Sequence, residues 1–270
     1  MAKQQKQPSG SDGGKKSPVM NRGILAGIAI LILAVIVFAA ILVLNFGNAT
    51  NANCNTQTGA CALPTTQATP VPTGPMKMAR PSVELYVMSF CPYGVQMENA
   101  MRPVVALLAN STDFRVRYIV SVPGTDISTA HSLHGNAEVV EDTRQLCIAE
   151  KDPEKLWDYI AAFNSRCYPV NATTLSSCQD SVETDLGIPR DSISQCVAGS
   201  DGFGLLKAEA SAVDNAGISS SPTLIINGQR YSGSRTPDAI RQAICDHFDT
   251  APGSCATTLS STTASASGNC

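Results

Sequence analysis

The hydrophobic positions of the chain change period several times, and the first apolar segment is unlike the rest. The run from Gly23 to Leu44 is aliphatic on every face and carries no charge. A helix needs about 20 such residues to cross a bilayer. A cleavable signal peptide is the rival interpretation, but its apolar region spans only about 7–15 residues. The pattern therefore predicts a single transmembrane helix over residues 23–45.

A strand, a helix and a second strand are predicted at the start of the folded part, near Met78. Residues 83–88 are apolar except for Glu84 and are rich in β-branched and aromatic side chains, which favours a buried strand. Apolar positions then recur every three or four residues and predict a helix from about 92 to 109, which Pro103 should kink or break. Residues 114–122 alternate and predict the second strand. Together they predict a βαβ unit.

Residues 123–217 carry helical patterns and no convincing strand. The predicted helices cover about 134–150, 153–166, 174–185, 191–198 and 203–216. The sheet then resumes with a short apolar strand from Ser221 to Ile226. The dipeptide Asn227-Gly228 is the strongest two-residue hairpin signal, so a return strand follows it. A last amphipathic helix begins at Thr236-Pro237, where threonine suits the cap and proline suits the first turn.

Charge is distributed unevenly along the chain. Residues 1–22 carry five basic residues and one acid, residues 23–76 carry no charge, and residues 77–270 carry 14 basic and 21 acidic residues. No basic cluster lies in the folded part, which argues against nucleic acid as a partner. Because the basic residues precede the apolar run, the N-terminus should be cytoplasmic and the rest extracytoplasmic.

This distribution predicts five regions of different character. They are a disordered cytoplasmic tail at 1–22, the transmembrane helix at 23–45, a flexible tether at 46–77, a folded domain at 78–255 and a disordered C-terminal tail at 256–270.

One cysteine lies where the first predicted strand turns into the first helix. Cys91 precedes Pro92, which occupies a first helical position where a missing N–H costs nothing. The free backbone N–H groups and the positive end of the helix dipole then face the sulfur. They favour the thiolate, which is the reactive form of cysteine. A buried structural cysteine is the alternative, but the strand, the Cys-Pro-aromatic sequence and the helix together favour a nucleophile.

The order of the elements and the motif Cys91-Pro92-Tyr93-Gly94 resemble the thioredoxin-fold disulfide oxidoreductases of the DsbA-like families. The resemblance covers about residues 82–250. It implies an α/β thioredoxin fold with a helical insertion at about 123–217. It also implies that Ser221 and Pro222 form a cis-proline loop beside Cys91, where the loop holds the backbone of a bound substrate.

A second and partial resemblance concerns the gamma-interferon-inducible lysosomal thiol reductases. Their signature starts Cys-Gln-His-Gly and continues through Glu-Cys and Asn to a last Cys. The positions that keep residue type and spacing are His134, Gly135, Glu138 and Cys147. The positions that depart from the signature are Ser132, Val139 and Asp142, which replace two cysteines and the asparagine.

Gly94 stands where these oxidoreductases carry a second cysteine. A dithiol enzyme resolves its mixed disulfide by attack from that second thiol, and here no such thiol is adjacent. Three alternatives stay open. Cys91 acts as a single thiol, a distant cysteine such as Cys270 resolves the intermediate, or the site binds partners without turnover.

The other cysteines predict structural disulfides. The chain has ten cysteines, three histidines and no Cys-x-x-Cys pair, a composition that favours disulfides outside the reducing cytosol over a zinc site. No metal and no cofactor are expected. Proximity in sequence favours the pairs Cys54–Cys61, Cys147–Cys167, Cys178–Cys196 and Cys245–Cys255.

The sequence thus predicts a thiol–disulfide oxidoreductase or isomerase of the monothiol type, with Cys91 as nucleophile. It would be a single-pass protein of the cell membrane whose domain lies outside the cytoplasm. Its expected partners are the thiols and disulfides of exported proteins, together with a membrane redox partner. The alternative is a redox-silent thioredoxin-like binding module that captures protein or peptide partners.

Overall fold

A computed structural model of the protein describes residues 74–270. The predicted cytoplasmic tail, the transmembrane helix, most of the tether and the Cys54–Cys61 pair lie outside the described residues. Among residues 74–270, no helix combines the length and the apolar content that a membrane span requires.

Four strands form one mixed sheet in the order β2-β1-β3-β4. The strands are β1 (Ser82–Val87), β2 (Asp113–Tyr118), β3 (Thr223–Ile226) and β4 (Gln229–Arg230). The central strand β1 pairs in parallel with β2 and antiparallel with β3, so that Leu85 lies between Val116 and Leu224. Helix α1 (Pro92–Leu108) connects β1 to β2. This is the βαβ unit that the sequence predicts.

Five helices separate β2 from β3 and form the predicted helical insertion. They are α2 (Asn136–Lys151), α3 (Leu156–Arg166), α4 (Leu175–Leu186), α5 (Arg190–Ala198) and α6 (Ser200–Ala216). A last helix, α7 (Pro237–Asp246), follows the β3–β4 hairpin and packs against α1. Short 3-10 helices lie at Ile127–Thr129, Pro153–Lys155 and Gly253–Ala256.

The main core lies between the sheet and α1. Val83, Leu85 and Val87 alternate along β1 and are fully buried, in the same cluster as Met101 and Leu108 of α1. Helix α1 continues through Pro103, so the break considered from the sequence does not occur. Most helical stability in proteins comes from packing of the apolar face, and that packing continues on both sides of the proline.

Partly buried ion pairs join the two strands β1 and β2 to each other and to the helical insertion. The guanidinium of Arg117 on β2 lies 3.1 Å from Glu84 on β1 and 3.0 Å from Glu209 on α6. Glu209 also accepts a hydrogen bond from the backbone N–H of Tyr118 at 3.1 Å. Because Glu209 is almost completely buried, these bonds offset the cost of removing its charge from water.

Two disulfide predictions are wrong, because the helices of the insertion do not pair in sequence order. The structure joins Cys147 to Cys196, not to Cys167, and it joins Cys167 to Cys178. Helix α2 packs against α5, which brings Cys147 and Cys196 together, whereas the tight connection between α3 and α4 brings Cys167 beside Cys178.

The last of the predicted pairs has the partners that the sequence suggests. The structure joins Cys245 to Cys255, across the turn that follows α7.

Candidate functional site

Cys91 is the N-cap residue of α1, directly after β1. Its sulfur accepts a hydrogen bond from the backbone N–H of Gly94 at 3.3 Å, and its carbonyl accepts one from Val95 at 2.9 Å. Pro92 occupies the first helical position, as the sequence predicts. The sulfur of Cys91 therefore lies at the positive end of the helix dipole, a position that stabilises a thiolate when the cysteine is reduced.

In the structure Cys91 is bonded to Cys270 rather than free. The two Cα atoms are 5.4 Å apart, although the residues are separated by 179 positions in sequence. Cys91 is completely buried. Cys270 is the distant cysteine considered from the sequence, and the structure places it against the candidate nucleophile.

The loop before β3 lies beside Cys91. The Ser221–Pro222 bond is cis, and the carbonyl oxygen of Ser221 lies 3.6 Å from the sulfur of Cys91. The Ser221 hydroxyl accepts a hydrogen bond from the backbone N–H of Met88 at 3.0 Å. This bond attaches the loop to the end of β1, so the residues that the sequence assigns to one site are adjacent.

Gly94 faces the same loop at very short range. A Cβ atom at this position would lie 3.0 Å from the Ser221 hydroxyl oxygen and 3.0 Å from the Met88 carbonyl oxygen. Both distances are shorter than ordinary van der Waals contacts. A second cysteine here would thus press against the Ser221 hydroxyl, which gives a physical reason for glycine at the fourth position of the motif.

Replacing Gly94 with alanine should lower the free energy of unfolding by about 1–3 kcal/mol, because the added methyl group overpacks the contact with Ser221. Gly204 is the matched control. It lies in α6, and a Cβ there would meet nothing within 4 Å. Gly204→Ala should stabilise the protein by about 0.5–1 kcal/mol. Urea unfolding of both variants measures the difference, and equal effects at the two positions would contradict the packing argument.

Tyr93 lies at the rim of the site. The guanidinium of Arg235 lies 5.9 Å from the centre of the Tyr93 ring, within the range of a cation–π interaction. Arg235 also donates a hydrogen bond to Gln96 at 3.4 Å. Both contacts connect the first two turns of α1 to the segment that precedes α7.

Two buried carboxylates of α2 hold the loop that leads to Cys91. The N–H of Phe90 donates to Glu138 at 2.7 Å, and the N–H of Ser89 lies 3.4 Å from Asp142. Burial and the nearby charge of Glu138 raise the pKa of Asp142 well above its ordinary value. His134 supports Glu138 through its Nδ1 atom at 2.9 Å. His134 and Glu138, two residues of the partial reductase signature, therefore lie next to the residues that immediately precede Cys91.

Sequence reasoning did not assign this role to Glu138 and Asp142. The available signal was their spacing of four residues, which places both on one face of a helix. Whether the chain shares chemistry with the gamma-interferon-inducible reductases stays a prediction.

Two further carboxyl groups lie in the same interior, between α1 and the insertion. Burial raises the pKa of Glu98 to about 7, although Asn164 donates a hydrogen bond to it at 2.7 Å. Burial likewise raises the pKa of Glu141 to about 7, against hydrogen bonds that include one from Gln145 at 2.8 Å. One oxygen of Glu98 has no partner, which fits a neutral carboxyl group near neutral pH.

The fold and the site define a class, the thioredoxin-like proteins with a helical insertion. A solved structure of this class is the reduced disulfide bond oxidoreductase DsbG of Mycobacterium tuberculosis. It superimposes with a TM-score of 0.50 at 16% identity, over 70% of this chain and 92% of that protein. The DsbA-like resemblance is thereby confirmed for the fold.

Sequence comparison identifies the family within that class. The profile of the vacuolar sorting receptor thioredoxin-like domain matches residues 109–245, about half of the chain. The chain belongs to this family. The matched residues begin after α1, so they do not include the Cys91 motif.

Individual receptors also match the chain. Vacuolar-sorting receptor 6 of Arabidopsis thaliana is 31% identical over 153 residues, which are 52% of this chain and 24% of the receptor. Vacuolar-sorting receptor 1 of Pisum sativum is 31% identical over 145 residues, 49% of this chain and 23% of the receptor. The chain spans about a quarter of the length of these relatives.

Proposed function

We propose that the chain is a protein-binding thioredoxin-like module in which the surface around Cys91 and the Ser221-Pro222 loop holds an extended segment of a partner. One observation carries the proposal. The Ser221 hydroxyl and the Met88 carbonyl would each lie 3.0 Å from a Cβ atom at Gly94, so the site keeps its substrate loop and has glycine packed tightly where a resolving cysteine would stand. Its relatives are sorting receptors, which supports binding as the activity.

The partners that we propose are proteins in transit outside the cytoplasm. Residues 23–45 would anchor the chain as a single-pass membrane protein, and the positive charge before them would keep the N-terminus in the cytoplasm. The four disulfides in the described residues support an oxidising compartment for the domain.

A second candidate function is thiol–disulfide exchange, favoured by the Cys91–Cys270 disulfide. The reduced Cys91 thiolate would attack one sulfur of a partner disulfide and release the other sulfur as a thiol. The Cys270 thiolate would then attack the Cys91 sulfur and release the partner's second thiol. Two electrons pass from the two cysteines to the partner. An external thiol reductant then returns Cys91 and Cys270 to their reduced form.

A single comparison separates the two candidates. The full chain is prepared in detergent as wild type and as the Cys91→Ser/Cys270→Ser variant. The binding probe is an unfolded polypeptide whose cysteines are all carboxymethylated, so no disulfide exchange is possible. For a binding module, the double variant should bind this probe at least as tightly as wild type. Both proteins should reduce insulin disulfides no faster than glutathione alone.

The control variant is Cys167→Ser/Cys178→Ser, which removes the disulfide that joins α3 to α4 and leaves both site cysteines in place. Loss of probe binding in the double variant but not in this control would contradict the binding proposal. If wild type reduces insulin disulfides and the double variant does not, the chain is an oxidoreductase instead.

A further inference from the structure

The C-terminal segment after Ala256, here called the tail (257–270), follows a defined path to Cys91. It begins at the disulfide between Cys245 and Cys255, which fixes its start beside α7. Backbone groups of the tail then bond to Asp238, the first acidic residue of α7. The N–H of Leu259 donates to its carboxylate at 3.0 Å, and the carbonyl of Ser260 accepts from its N–H at 3.0 Å.

The sequence predicts a disordered segment at 256–270, and the structure differs. Ser, Thr, Ala and Gly side chains give the tail no apolar pattern, which is why composition alone indicates disorder. Order comes instead from backbone contacts, from the packing of Leu259 against the main core and from the bond between Cys270 and Cys91, all of which depend on the rest of the fold.

Two side chains next to Cys91 bind carbonyl oxygens of the tail. The Nε2 atom of Gln96 donates to the carbonyl of Ala264 at 2.6 Å. The Nε2 atom of His134 lies 3.3 Å from the carbonyl of Asn269. Every peptide has these carbonyl groups, so the contacts recognise an extended backbone rather than particular side chains.

Gly268 is a tail position where a side chain is restricted. Its φ angle is +131°, a conformation that residues with a Cβ rarely adopt. A Cβ atom there would lie 2.9 Å from Cγ of Pro92, in the ring that follows Cys91. The geometry thus requires glycine two positions before the cysteine that bonds to Cys91.

We infer that the tail is a built-in occupant of the partner site, and that the site binds extended segments of small residues that end in Gly-x-Cys. The inference rests on the proposed function and names the partner's chemistry. The partner would be a thiol-bearing segment that replaces the tail, with its glycine against Pro92 and its backbone carbonyls on Gln96 and His134.

Exchange of tail for partner needs no net oxidation. Cys270 is exposed whereas Cys91 is buried, so the partner thiolate attacks the Cys270 sulfur. The Cys91–Cys270 bond breaks and Cys91 leaves as a thiolate. That thiolate then attacks the partner sulfur, forms a Cys91–partner disulfide and releases the Cys270 thiolate, which takes up a proton. One disulfide and one thiol are consumed, and one of each is formed.

The test uses the full chain carrying Cys270→Ser, in which Cys91 is free and the native tail cannot form its disulfide. The probe is a synthetic peptide with the sequence of residues 259–270, whose cysteine is activated as a mixed disulfide with 2-thiopyridine. Attack by Cys91 releases 2-thiopyridone, and its absorbance gives the rate. A peptide with alanine in place of Gly268 should react at least about fivefold more slowly, because its methyl group overlaps Pro92.

A double-mutant comparison tests the backbone contact. Gln96→Leu, introduced beside Cys270→Ser, should slow the reaction of the long peptide by about threefold to tenfold, the range for one hydrogen bond. The same change should leave unaltered the rate of a short peptide of residues 268–270, which lacks the Ala264 carbonyl. Equal effects on both peptides would indicate that Gln96 acts on Cys91 and not on the tail.

Failure of the inference is distinguishable from failure of the proposed function. If the inference is correct, the oxidised wild type binds the carboxymethylated polypeptide at least about tenfold more weakly than Cys270→Ser, since the tail fills the site. Equal binding by these two proteins, together with equal rates for the glycine and alanine peptides, overturns the inference and leaves the binding module intact. No binding by either protein overturns the proposed function.

Discussion

Raising the pH from 5 to 8 should lower the free energy of unfolding of the folded domain. Either of two buried carboxyl groups, taken alone, should account for a loss of about 3 kcal/mol. Glu98 and Glu141 have pKa values raised from 4.5 to about 7, mainly because burial penalises their charged forms. One pKa unit corresponds to about 1.4 kcal/mol. The combined loss is less than the sum, since the charge of Glu141 is one cause of the shift of Glu98.

The sign of this dependence follows from proton binding in the two states. Between pH 4.5 and 7 the folded protein keeps protons on Glu98 and Glu141, whereas the unfolded chain releases them. The folded state then binds more protons, so stability falls as the pH rises through this window and levels off above it. Asp142, whose pKa is also raised, contributes in the same direction.

Replacing Glu98 with glutamine tests the assignment. Glutamine can still accept the hydrogen bond from Asn164, and it carries no charge at any pH. The variant should match wild type at pH 5 and exceed its free energy of unfolding by about 1–3 kcal/mol at pH 8. Glu154→Gln, at an exposed position, is the control and should leave the pH profile unchanged. Urea unfolding across this range measures the profile, and a Glu98→Gln profile parallel to that of wild type would contradict the assignment.

Regular elements were predictable because local patterns and tertiary packing agree. The apolar spacing after Cys91 matches the buried face of α1, and the capping signal Thr236-Pro237 coincides with the start of α7. Asn227-Gly228 forms the turn between β3 and β4, with both residues at positive φ. At each of these positions a single short-range cause determines the structure.

The site was only partly predictable, because its remaining parts depend on how helices pack. The cysteine motif and the Ser221-Pro222 loop carry family patterns that a sequence displays directly. The path of the tail depends on hydrogen bonds to Asp238 and Gln96, which no local sequence pattern predicts. Disulfide connectivity has the same difficulty, since Cys147 meets Cys196 only after α2 and α5 have packed.

Removing the Cys147–Cys196 disulfide should have the largest effect of any change in the helical insertion. The bond closes a loop with a sequence separation of 49, and loop entropy alone gives about 4 kcal/mol for a loop of this length. Both cysteines are buried, so replacement by alanine also removes sulfur contacts in the core. Urea unfolding of the Cys147→Ala/Cys196→Ala variant measures the loss.

The matched control is Cys167→Ala/Cys178→Ala, whose bond has a sequence separation of 11 and should contribute about 3 kcal/mol.

The two variants should also differ in the reactivity of Cys91. Cys147 lies on α2, the helix whose Glu138 and Asp142 hold the loop before Cys91, whereas Cys167 and Cys178 join α3 to α4. Loss of the first bond should therefore slow the reaction of Cys91 with the activated tail peptide in the Cys270→Ser background. Loss of the second should not, and equal slowing by both would show that α2 does not position the loop.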